Sequence, residues 1–128
     1  ARYLGLAAFN ACVGLRAVSV PFARAASPSL FWRCGRLTSV SMPVATEVLD
    51  DAFCQCWRLT SVSLPNVRRV AEGAFNNCDK LETVFLPSAE FIHADAFYCC
   101  PGLLKDKVFA PDDAKELLPS SFGEVSVS

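Results

Sequence analysis

The chain has 128 residues, a formal net charge of -1 and an apolar fraction of 52%. That suits a single domain with a buried core, and it offers no broad electrostatic footprint for nucleic acid or an anionic membrane. No run of eighteen apolar residues occurs, so no membrane insertion by a helix is expected.

The chain opens "ARYLGLAAFNACVGL", with no initiator Met and no basic region ahead of an apolar run. This makes a poor secretory signal, and it reads as a cut through a longer protein or a processed form. Within this opening a pattern begins that returns every 22 residues. Phenylalanine recurs at Phe9, Phe31, Phe53, Phe75 and Phe97, and cysteine follows three residues later at Cys12, Cys34, Cys56, Cys78 and Cys100. Three further on stand Leu15, Leu37, Leu59, Leu81 and Leu103. Then come Val18, Val40, Val62 and Val84; Val20, Met42, Leu64 and Leu86; and Pro21, Pro43, Pro65 and Pro87. A last apolar column holds Leu4, Ala26, Val48, Val70 and Ile92. So many columns in phase define five repeat units.

In each unit Leu-x-x-Val-x-Leu-Pro alternates as a short strand does, and proline closes it because it cannot donate to a ladder. The arc Ala-Phe-x-x-Cys-x-x-Leu has apolar residues three apart, which fits a helical or 3₁₀ turn facing inward. One strand and one return arc make an α/β solenoid. Parallel strands of successive coils lie about 4.8 Å apart, and five coils run for about 24 Å. Stacking closes the apolar side that a single coil leaves open.

The five in-phase cysteines are expected as buried, reduced thiols that pack as small hydrophobes. Cys54 and Cys99 fall outside the column and are expected to face outward as the more reactive thiols. No cysteine pair has metal-ligand spacing, and a ladder spreads thiols in a line rather than a tetrahedron. No metal and no cofactor is expected. His93, the one histidine, reads as an arc residue. A thiol-dependent enzyme built on His93 and Cys99 lacks any residue placed to orient the pair. No phosphate loop, paired carboxylates or nucleophile elbow is present, so a non-catalytic protein is expected.

The fifth unit breaks step after Leu103. In "LKDKVFAPDDAKELL" the residues Val108, Phe109 and Pro111 are displaced by two. Asp112 or Asp113 is expected to cap a short helix running to Leu118, with Pro119 ending it and one more short strand in "SSFGEVSVS". The solenoid is thus assigned to residues 1–103 and a C-terminal cap to 104–128.

The unit Ala-Phe-x-x-Cys-x-x-Leu-x-x-Val-x-Leu-Pro resembles the BspA-like, or Treponema pallidum type, leucine-rich repeats. "EGAFNNCDKLETVFLP" and "DAFCQCWRLTSVSLP" carry the match, which covers roughly residues 4–103. The tail "KVFAPDDAKELL" is similar to closing segments of such arrays. The resemblance implies an array with parallel strands on a concave face and a role in adhesion or protein binding. It also implies a cell-surface location, whereas persistent free thiols favour a reducing compartment; the compartment is left open.

Strand positions between the inward columns should line the concave face. They include Arg16, Thr38, Ser39, Ser41, Thr60, Ser61, Ser63, Glu82, Thr83 and Phe85. Arg and aromatic residues dominate interface energetics, which makes Arg16 and Phe85 the expected anchors. The partner expected is another protein. A structural spacer, self-associating end to end at an open N-terminal edge, is the alternative reading.

Overall fold

The structure is a computed structural model and describes residues 14, 16–26, 28–119 and 122. Leu4, Phe9, Cys12 and Leu15 of the first unit, the N-terminal edge, and the strand expected in the tail lie outside the described residues.

The period of 22 builds a parallel solenoid, with two short strands in each unit rather than one. In chain order they are β1 (Ala17–Ser19), β2 (Ala25–Ala26), β3 (Ser39–Ser41), β4 (Glu47–Val48), β5 (Ser61–Ser63), β6 (Arg69–Val70), β7 (Thr83–Phe85), β8 (Phe91–Ile92) and β9 (Val108–Phe109). The odd-numbered strands are those the Val-x-Leu-Pro pattern predicts. The even-numbered ones are two residues long, too short to show alternation. They form around the buried column Ala26, Val48, Val70 and Ile92. All pairs are parallel, and β2-β4-β6-β8 is one continuous sheet. The odd strands divide into β1-β3 and β5-β7-β9, so their ladder is interrupted between β3 and β5. Val84 pairs with Val108 and Phe85 with Phe109, which shows the two-residue displacement read from the sequence to be one of register.

The return arcs are chains of tight turns, and among the described residues helix is confined to two 3₁₀ segments near the C-terminus. The reason lies in where the arc N–H groups go. Those of Phe31, Phe53 and Phe75 bond the carbonyls of Ala52, Ala74 and Ala96 in the next coil, at 2.7–2.8 Å. A group donating between coils is lost to an i→i+4 helix bond. The arcs accommodate this through left-handed residues, at Ser29, Asp51 and Gly73 and again at Arg33, Gln55, Asn77 and Cys99. Gly73 has φ +72°, and a Cβ there would run into the Asp51 carboxylate. Gly73→Ala should lower stability by about 1–2 kcal/mol, read as a lower urea midpoint; an unchanged midpoint would show that the arc relaxes freely.

Phe31, Phe53, Phe75 and Phe97 are all fully buried and stack with ring centroids 5.1, 5.1 and 5.3 Å apart. Phe122 ends the column edge-on against Phe97 at 5.5 Å, and its carbonyl accepts the Cys100 N–H. In-phase Cys34, Cys56, Cys78 and Cys100 are buried as expected, and the column also does something the spacing does not reveal. The Sγ–H of Cys56, Cys78 and Cys100 donates to the carbonyl of Phe31, Phe53 and Phe75 in the preceding coil, at 3.2, 3.2 and 3.0 Å. A buried carbonyl without enough partners is costly. Cysteine is small enough for the site and still carries a donor, which Ala and Val lack.

After Leu103 the chain forms a 3₁₀ turn at Lys105–Lys107, then β9, then a second 3₁₀ segment at Asp112–Lys115. Ala114 and Leu118 are buried against the solenoid core. The Asp cap expected from the sequence does not form. Pro111 holds the capping position and no side chain makes a cap bond, so Asp112 and Asp113 lie inside the first turn. Proline's fixed φ starts the turn, and the carboxylates still sit at its positive end. The predicted helix is also shorter, ending at Lys115, and the Leu118 carbonyl is met by Lys105 Nζ at 2.9 Å.

Candidate binding face

Period-two alternation sends the Val residues of the odd strands inward and leaves their neighbours on the outer surface. Val62 and Val84 are buried, while Ser39, Ser41, Ser61, Ser63 and Phe85 are exposed. Arg16, Thr38, Thr60 and Glu82 immediately precede these strands and are exposed too. Thr83 differs in being half-buried. The register brings Ala17 beside Ser39, Ser19 beside Ser41, Ser61 beside Thr83, and Ser63 beside Phe85. Of the ten residues expected at the face, Ser39, Ser41, Ser61, Ser63, Thr83 and Phe85 thus stand on the outer side of the odd strands, and Arg16, Thr38, Thr60 and Glu82 are exposed just before them.

Small side chains keep the first part of this face low. A shallow depression of about 400 Å³ lies over Ala17, Ser19, Ser39 and Ser41, floored by the half-buried Val18 and Val40. Part of the hydroxyl row is used internally, since Thr38 Oγ1 donates to the Arg16 carbonyl at 3.1 Å. At the other end Phe85 is 46% exposed and its register partner Phe109 is 48% exposed. Phe109 belongs to this face and was missed in the sequence, because the displaced register removes it from the 22-residue columns. An aromatic two residues before Pro111 was the available signal.

The even strands carry a second, narrower groove of about 300 Å³. Glu47, Arg69 and Phe91 share one outward row, with Leu49, Ala71 and His93 beside it and Asp50 and Glu72 at the rim. The Arg69 guanidinium lies 5.3 Å from the Phe91 ring centre. Partial burial raises the Asp51 carboxyl above its usual range, and the charges of Asp50 and Glu72 add to the effect. His93 is half-buried; its Nδ1 accepts the Asp95 N–H at 3.0 Å and its ring meets Phe91 edge-on. These contacts fit the arc role read from the sequence.

The two out-of-phase cysteines separate. Cys99 is half-exposed, but Cys54 is buried, contrary to expectation. It stands in the register position of Trp32, Asn76 and Tyr98, and its side chain is hydrogen-bonded with that of Trp32. Burial, helped by the Asp51 charge, pushes its thiol above the usual range, away from the thiolate that reactivity needs. Among the described residues no group of three or more His, Cys, Asp or Glu could hold a metal ion. No helix among them is long and apolar enough to cross a membrane.

The molecule is a solenoid of two-strand coils, with a stacked Phe column and a thiol column bonded to it. The family model described as a BspA type leucine rich repeat region matches residues 1–104 in six copies. The chain belongs to the BspA-type leucine-rich repeat family. A Treponema pallidum leucine-rich repeat protein of known structure shares 27% identity with this BspA-type chain at a TM-score of 0.74, over 80% of this chain and 50% of that one. A leucine-rich repeat protein from Bacteroides ovatus superposes with a TM-score of 0.72 at 23% identity, over 84% of this chain and 28% of that one. The chain therefore spans half or less of the solved repeat proteins it matches. No curated protein matches it.

Proposed function

We propose that this repeat domain is a non-catalytic protein-interaction module, of the binding or adhesion kind, that works through the outer face of the odd-numbered strands. The observation carrying this reading is the exposed Phe85–Phe109 pair beside a low, hydroxyl-lined surface. Paired exposed aromatics on a sheet are poor for solubility alone and good as anchors. Backbone bonds between coils hold the face in place, so little ordering cost accompanies binding. BspA-type membership supports the same reading.

The test is affinity capture from native lysate and surface extract with the wild-type domain and Thr60→Arg/Ser63→Glu/Phe85→Ala. All three side chains are solvent-accessible, so the variant should keep its fold, checked by circular dichroism. A partner retained by wild type and lost by the folded variant is the expected result. Identical recoveries with both baits would remove the function from this face.

A further inference from the structure

Charge is distributed unevenly along this solenoid. All thirteen acidic residues lie at or beyond Glu47, and no Asp or Glu occurs between residues 52 and 71. Cations are not segregated in that way. One column carries Arg36, Arg58 and Lys80, each immediately before the buried Leu of its unit and each exposed. The period places them on successive rungs, about 4.8 Å apart, on the turn that leads into β3, β5 and β7. None makes an ion pair; Arg68–Glu90 is the one salt bridge among the described residues and lies elsewhere. Three like charges in register repel one another, and no salt bridge among the described residues relieves them.

An aromatic is set into this row. Trp57 precedes Arg58 and is 38% exposed. Its six-membered ring lies directly over Gly35, the neighbour of Arg36, where an added Cβ would come within 3.0 Å of Trp57 Cε3. Gly35 therefore lets the indole lie against the preceding coil. Two residues before Gly35 in the chain, the Arg33 guanidinium lies 5.4 Å from the Trp32 ring centre. Asp79 and Glu82 border the row only at its Lys80 end.

We propose that Arg36, Trp57, Arg58 and Lys80 form a docking stripe for an acidic segment of a partner protein. The proposal rests on the interaction role proposed above and gives that partner a chemistry. Unpaired guanidinium groups bind carboxylates in a bidentate way, and a pinned Trp supplies apolar contact with little loss of freedom. Arg and Trp are also the side chains that carry most energy at interfaces. A short acidic peptide fits better than nucleic acid. Strong nucleic-acid binding draws on about six to ten phosphate contacts, whereas this row offers three cations on a chain of net charge -1.

The test measures fluorescence anisotropy with a labelled peptide of alternating Glu and Gly. A Lys-Gly peptide, a single-stranded oligonucleotide and a sulfated oligosaccharide of matching charge serve as comparisons. The Glu-Gly peptide should bind best, more weakly as salt rises, and Arg36→Glu/Arg58→Glu should weaken it about tenfold or more. Arg36→Gln/Arg58→Gln should give an intermediate loss, and Trp57→Ala a loss that salt does not mimic. Matching urea midpoints establish that the variants are folded. Tighter binding of the oligonucleotide or the sulfated sugar, equal binding of the Lys-Gly peptide, or no binding of the Glu-Gly peptide overturns the stripe. So does sedimentation showing that wild type self-associates through these residues. Thr60→Arg/Ser63→Glu/Phe85→Ala separates the two proposals. If it still loses its captured partner while the peptide does not bind, the stripe falls and the binding face stands. If the peptide binds through the arginines while capture ignores that variant, the face falls instead.

Discussion

Phe53→Ala should destabilise the domain by about 3–5 kcal/mol, the cost of emptying a fully buried aromatic site. Phe53 stacks on Phe31 below and Phe75 above, both at 5.1 Å, so truncation removes two aromatic contacts as well as the buried area. The neighbouring coils cannot close the gap, because their backbones are held at fixed separation by bonds such as Phe53 N–H to the Ala74 carbonyl, at 2.7 Å. In a solenoid each unit is stabilised chiefly by its nearest neighbours. A hole in the middle coil should therefore also broaden the unfolding transition as the two halves uncouple. Urea denaturation of Phe53→Ala beside wild type checks both effects. A midpoint and slope matching wild type would mean that the Phe column is not what couples the coils.

Alkaline pH should destabilise the reduced domain through its buried thiols. Burial pushes the Cys56 and Cys78 thiols well above their ordinary range, with the adjacent thiols Cys34 and Cys100 adding to the effect. The folded state therefore keeps both protons while the unfolded chain releases them near pH 9. The unfolded state then binds fewer protons than the native state, so stability falls as pH rises through that value. Below about pH 8 the thiols are protonated in both states and the effect vanishes. Between pH 8 and 10 each thiol should cost about 1.4 kcal/mol, about 3 kcal/mol for the two. Urea midpoints under reductant at pH 8 and pH 10 measure the loss, with Cys56→Val/Cys78→Val as reference. The double variant starts less stable, since two Phe carbonyls lose a donor, but its pH dependence should be flatter. Equal slopes for both proteins would show that these thiols ionise in place.

The columns of Phe, Cys, Leu, Val and Pro were legible because each is a one-dimensional demand. Every coil must place the same apolar side chain against the next, so the period in the sequence is the period in space. That logic found the solenoid, the odd strands and the buried thiols, and it pointed to the exposed positions flanking each inward Val. The even strands escaped it because two residues carry no alternation. Phe109 escaped because it follows a register shift. Cys54 was misplaced because burial in the arc depends on Trp32 of the preceding coil, which no spacing within the unit reports. Arg36, Trp57 and Arg58 can be read as adjacent columns in the sequence; that Trp57 lies over Gly35 cannot.

By itself, then, the sequence determined a stack of parallel coils, since only stacking buries apolar columns that recur at a fixed interval. Tertiary structure decided how the arcs satisfy their backbone. Their N–H groups bond the next coil, and the cysteine thiols reach back to the Phe carbonyls of the coil before. Those bonds join residues 21 to 25 apart, and the donors and acceptors are mostly backbone groups that every residue carries. Nothing in the side-chain pattern distinguishes them until the coils are brought together.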